Sequence, residues 1–288
     1  MDEFVRMLNG LLMIALPVVL GIWLARRFKT SWAVFFAGSA TFILSQVGHL
    51  PFNQFLLSPA ALASGWVQPD GRVALAGAIL FGLSAGVFEE LARYLVLRFW
   101  RKDVRTWERG MMFGAGHGGI EAIILGGLAI MAFAQAMAMR GMTDLTQAVA
   151  PERVELLQAS LEAYWSLPWF AVLLGAGERV LALILHLSLS LMVMHAFRRN
   201  NPAWLALAVF WHALADALVV YVASIAGAYT AEAVLVLVAI ASIGWIILFK
   251  RWSPREDPPG CEPAPVLVSL QKVETRVDQA SLDESKYH

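Results

Sequence analysis

The chain has 288 residues, 59% of them hydrophobic and only 15% charged, and its formal net charge is zero. Soluble domains carry about 25% charged residues, so a water-soluble globular fold is excluded. The single cysteine, Cys261, also excludes an internal disulfide framework and a cysteine-based metal cage.

Crossing a bilayer takes about 20 apolar residues, and runs of that length recur along the chain. The spans predicted are 7–25, 31–57, 73–97, 110–139, 168–197, 203–224 and 229–249. The fold class expected is all-α: a polytopic membrane bundle of about seven transmembrane helices. The first span has no small-residue cleavage site after it and is flanked by Arg26 and Arg27. It reads as a retained helix and not as a cleaved signal.

Loop charge orients the bundle. Arg26, Arg27 and Lys29 follow the first span, and Arg98, Arg101, Lys102, Arg105 and Arg109 join the third to the fourth. Arg198 and Arg199 join the fifth to the sixth, and Lys250, Arg251 and Arg255 follow the seventh. The alternate loops carry only Arg72, Arg140 and Arg153. Lys and Arg concentrate in cytoplasmic loops, so the N-terminus is expected outside and the C-terminus in the cytoplasm.

The outer segment 140–167 is the one long loop expected. A helix starting at Pro151–Glu152 would carry Val154, Leu157, Leu161, Tyr164 and Trp165 on one side, the pattern of an amphipathic helix on the membrane surface. It reads as a packed connector in preference to a substrate lid. From Pro254 the composition turns proline-rich and then polar. The organisation expected is a membrane domain over 1–251 and a disordered cytoplasmic tail over 252–288.

Four spans hold ionisable residues deep inside apolar sequence: Glu89, Glu90 and Arg93; His117 and Glu121; Glu178, Arg179 and His186; His212 and Asp216. A charge at bilayer depth costs roughly 2.5–3.5 kcal/mol on insertion scales, so each needs a partner inside the protein. Glu89 and Glu90 precede Arg93 by four and three residues, and His117–Glu121 and His212–Asp216 are i, i+4 pairs, spacings that put each set on one helix face. At 1.5 Å of rise per residue, Glu89, His117, His186 and His212 fall roughly 10–16 Å from the cytoplasmic end, with Glu121 and Asp216 slightly deeper. A single polar site opening toward the cytoplasm accounts for this common depth.

Paired carboxylates beside histidine activate water by general base catalysis, and histidines with carboxylates also bind divalent metals. Glu178–Arg179 reads first as a structural ion pair. The glycines Gly82, Gly86, Gly110, Gly114 and Gly118 read as close helix contacts. His195 reads as interfacial, and His49 and His288 receive no role.

The ordered set Glu89-Glu90-x-x-Arg93, Phe113-x-x-x-His117 and His212-x-x-x-Asp216 resembles the CAAX-prenyl-protease and bacteriocin-processing superfamily of intramembrane proteases. The context Gly-His-Gly-Gly-Ile-Glu-Ala, with Glu178-Arg179 and His186, is similar to its YhfC branch of intramembrane metalloproteases, to which the PrsW proteases are related. The resemblance covers residues 80–220. It implies an endopeptidase in which Glu89 activates water with His117, Glu90 and Arg93 position it, and His212 stabilises the oxyanion. Glu121 joins this catalytic set. The metal ligands implied are His117, His186, His212 and Asp216, around a divalent ion with zinc favoured. The partners expected are the lipid bilayer and a membrane protein or peptide substrate, with no nucleic acid. Two other classes fit the same residues: a proton- or cation-coupled transporter, and a non-catalytic scaffold that binds helices through its glycine faces.

Overall fold

A computed structural model of the chain describes residues 2–253 except Pro69 and Thr143. The expected tail from Pro254 onward lies outside the described residues. Seven helices are long and apolar enough to cross a membrane. They are α1 (Asp2–Phe28), α2 (Trp32–Ala63), α3 (Leu75–Trp100), α4 (Trp107–Arg140), α6 (Trp169–Arg198), α7 (Ala203–Ala226) and α8 (Ala228–Trp252). The short helix α5 (Val154–Ser166) stands between α4 and α6. The described residues form no β-strand, only one isolated bridge between Val67 and Val73.

Local chemistry sets the helix ends. Ser31 caps α2 by accepting from the Ala33 amide, and Thr106 caps α4 by accepting from the Arg109 amide, each satisfying a donor that the first helical turn leaves free. Arg26 and Arg27 sit in the last turn of α1, where the helix dipole favours cations. The α7–α8 hairpin turns at Gly227 alone, with φ of 80°, a conformation that glycine adopts without steric penalty.

Side-chain contacts define two ends. At one, Arg101 donates to the Ala33 carbonyl, Trp107 donates to the Ile246 carbonyl, and Arg198 donates to Ser253. The Arg- and Lys-rich loops therefore meet at a single basic end. At the far end, Arg6 reaches the carbonyls of Trp165 and Leu167, Arg140 pairs with Glu3, and the Val73 amide donates to Ser224. The connector 140–167 does contain the expected helix, and its Tyr164 and Trp165 rings pack on the Arg6 guanidinium at 4.3 and 5.0 Å.

Helices α2, α3, α7, α8, α6 and α4 follow one another around a ring, and α1 packs outside it against α4 and α6. Close approach needs small residues. A Cβ on Gly116 would land on the Phe35 carbonyl oxygen, and one on Gly38 would land on that of Phe113. These two glycines let α2 and α4 touch backbone to backbone.

The difference between crowded and open glycines is testable in detergent-solubilised protein. Gly116→Ala forces overpacking that typically costs about 1–3 kcal/mol and will lower the thermal unfolding midpoint. Gly127→Ala, where nothing lies within 4 Å, will leave it unchanged or raise it, since alanine is the better helix former by about 1 kcal/mol. Equal midpoints for the two variants would refute this packing account.

Candidate active site

Glu90 and Arg93 lie one helical turn apart on α3 and are both fully buried. Arg93 Nη1 donates to Glu90 Oε1, and Arg93 Nη2 donates to His186 Nδ1 at 2.7 Å on α6. Glu90 Oε1 also accepts from His212 Nδ1 at 2.8 Å on α7. One guanidinium thus ties three helices together. Because His186 Nδ1 faces a donor, the ring proton sits on Nε2, and it is given to Glu121 Oε2 at 2.7 Å on α4. The other Glu121 oxygen accepts from Arg179 at 2.6 Å, and Arg179 also pairs with Glu178. Glu89 Oε2 accepts from His117 Nε2 at 3.0 Å, while Gln46 on α2 donates to Glu89 Oε1 at 3.4 Å. His212 Nε2 points at Asp216, 3.5 Å away.

The structure therefore brings together Glu89, Glu90, Arg93, His117, Glu121, His186, His212 and Asp216, with Arg179 beside them. The His117 and His186 ring centres are 5.3 Å apart, and those of His186 and His212 are 5.6 Å apart. Two cavities of about 270 Å³ each meet at Glu89, Glu121 and Asp216. One lies among α3, α6, α7 and α8. The other lies among α2, α3, α4 and Asp216 of α7. Ligand atoms of Glu89, His117 and His186 all lie within 4.8 Å of one another, and all three residues are buried.

The profile of the YhfC intramembrane metalloprotease family matches residues 12–240. The chain belongs to this family. It is also 32% identical over 259 residues, 85% of its own length and 95% of the relative's, to the uncharacterized membrane protein YhfC of Bacillus subtilis (strain 168). No solved structure matches the chain. Seven apolar helices, the family and this relative together make it a multi-pass integral membrane protein.

The donor chemistry of this YhfC-family chain suits a divalent ion. Two imidazoles and a carboxylate form a set that catalytic metal sites use while leaving a position free for water. The converging group differs from the set that the resemblance implies. Glu89 belongs to it, whereas His212 and Asp216 do not.

Two readings of the sequence need correction. The site does not open toward the basic end: the residues of both cavities lie at the layer or beyond it toward the far end. Helix rise places a residue at a depth but does not reveal which side is plugged, and here Leu97, Met112, Phe113, Leu189 and Met192 close the basic side with no exposed surface. His49 is not idle either. It lines the α2 cavity, its Nε2 accepts from Asn53 at 2.9 Å, and Asn53 accepts from Ser84 at 3.0 Å. Polar spacing carried the missed signal: Ser45, Gln46, His49 and Asn53 recur three or four residues apart inside an apolar run, on one helix face. His195, read as interfacial, does lie in the last helical turn beside Arg198 and Arg199, and there it is buried under Trp204, Phe249 and Trp252.

The guanidinium clamp yields a stability test. Arg93→Met leaves the Glu90 carboxylate buried without its cation, a change that typically costs about 3–5 kcal/mol. The double variant Arg93→Met with Glu90→Gln will recover part of that loss in a double-mutant cycle. Additive unfolding free energies would show that the pair is not coupled.

Proposed function

We propose that this protein is an intramembrane metalloendopeptidase that hydrolyses peptide bonds of membrane-embedded or membrane-adjacent polypeptides. The observation that carries this reading is a buried Glu89–His117–His186 donor set whose Glu89 lines two cavities and whose His186 lines one of them, with further carboxylates in both. In this reading Glu89, His117 and His186 would hold the ion, His186 after losing the Nε2 proton that it otherwise gives to Glu121, and zinc is the ion that a His₂Glu set favours. When bound, the ion supplies Lewis acidity where water attacks the amide.

The chain's own residues supply the rest. Glu121 lines both cavities and takes the proton from the attacking water. As an imidazolium, with Nδ1–H on Glu90 and Nε2 facing Asp216, His212 has a second proton to donate toward the oxygen that becomes negative. Arg93 positions both rings through its bonds to Glu90 and His186. The resemblance casts Glu89 as the base. The closeness of its carboxylate to both His117 and His186 favours a ligand role instead, with Glu121 as the base. We extend the reading to topology: the basic end faces the cytoplasm, as the loop charges favour, so the N-terminus lies outside.

Metal content and cleavage of a candidate membrane substrate in proteoliposomes separate these roles. Glu89→Gln, His117→Ala and His186→Ala will lose both bound metal, measured by mass spectrometry, and cleavage. Glu121→Gln will keep the metal and lose about 10²–10⁴-fold in turnover, the usual contribution of a general base. Full cleavage by Glu121→Gln would remove it as the base. Retained metal in the three ligand variants would remove the proposed centre.

A further inference from the structure

The walls of the cavity among α3, α6, α7 and α8 are displaced in one direction along the bundle. On α3, Phe81 and Gly82 precede Glu89; on α6, Glu178 and Ala182 precede His186; on α7, Val219 and Val220 follow His212. Since α3 and α6 start at the far end and α7 finishes there, all six lie on the far side of the layer. In the cavity on the other side of Glu89, His49 on α2 and Leu125 on α4 are displaced the same way.

Exposure of the carboxylates follows the same axis, although Arg179 among them stays at 9%. It is zero for Glu90, as it is for Arg93 and His117, rises to 8% at Glu89 and 22% at Glu121, and reaches 37% at Asp216 and 39% at Glu178. Exposed carboxylates within spanning helices need water, because hydrocarbon cannot solvate them. The far half of the ring is therefore wet, while the basic half is closed by apolar side chains.

We propose that the polypeptide substrate and the water that cleaves it reach the layer from the far end, opposite the basic loops. With the basic loops in the cytoplasm, the substrate is a segment on the extracytoplasmic side of the membrane, drawn into the mouth between α3, α6, α7 and α8. The two cavities join at Glu89, Glu121 and Asp216, so an extended strand crosses the layer from the α8 side to the α2 side. On that second side it meets Gln46 and His49, polar groups available to an extended backbone. This inference rests on the proteolytic reading for the nature of the substrate, but its test requires no turnover.

The test is thiol labelling in sealed vesicles. Cys261, the chain's single cysteine, is replaced by Ser, and cysteine is introduced singly as Val220→Cys, Leu125→Cys or, in the basic α3–α4 loop, Lys102→Cys. A charged, membrane-impermeant methanethiosulfonate reagent is applied to one face at a time. Val220→Cys and Leu125→Cys will be modified from the face opposite to the one that modifies Lys102→Cys, whichever way the protein inserts. Modification of all three from the same face would overturn the proposal. So would protection of both cavity cysteines from both faces in protein that remains folded by gel filtration. A protein that labels as expected but cleaves nothing would sink the proteolytic reading and leave the entry route standing. One that cleaves but labels from the basic face would do the reverse.

Discussion

Charge compensation inside an apolar bundle is the constraint on which the rest of this structure depends. Glu90 has no exposed surface, and an unpaired carboxylate there would be destabilising by several kcal/mol. Arg93 and His212 both donate to it, and Arg93 spends its second amino group on His186. From His186 the chain of donors and acceptors continues to Glu121 and Arg179, while Glu89 lies 3.8 Å from Arg93 and brings in His117. Four helices are held in mutual register because a slip of any one would strand a buried charge. The same compensation presents Glu89, His117 and His186 to a common point.

Packing divides the bundle along its length. Toward the basic end, glycine-mediated backbone contacts and large apolar side chains leave no room. Toward the far end cavities open beside the layer, although α3 and α7 stay close there, where a Cβ on Gly82 would land on the Ala213 carbonyl oxygen. Tight packing on one side fixes the histidine rings: Gly118 abuts the His186 ring, which a Cβ would meet at 2.7 Å. Looseness on the other side admits water to the carboxylates. Rigid support on one side of the layer and solvent on the other is the arrangement that a preorganised hydrolytic site needs.

Much of this was legible in the sequence because it is periodic along single helices. Apolar runs located the spans, although α1 starts several residues before 7 and α2 continues past 57. The i, i+3 and i, i+4 spacings of Glu90–Arg93 and His212–Asp216 brought out pairs that do meet, whereas His117 and Glu121 turn to Glu89 and His186 on other helices. What escaped depends on neighbours across the bundle. Gln46, His49 and Asn53 carry no obligatory charge, so an inventory of ionisable groups passed over them or assigned them nothing. Asn53 also opens a wide helical turn over Asn53–Leu57, just after Pro51, where a proline cannot donate to the preceding turn. Which side of the layer is plugged depends on side-chain volume in three dimensions, and helix rise has no access to that.

The contacts of Arg6 bear on how the chain assembles during synthesis. Its guanidinium is 3% exposed and finds its carbonyl partners 159 and 161 residues later, at Trp165 and Leu167. The aromatic faces that cover it, Tyr164 and Trp165, belong to the same late segment. When α1 first enters the bilayer, none of these groups has been made. Arg6 must wait at the lipid headgroups, hydrated, while three further crossings are threaded, and it is enclosed only as α5 and the start of α6 fold over it. The first helix is thus inserted early but locked only after α4 has crossed, and the far end is completed later still, when Ser224 arrives to meet Val73.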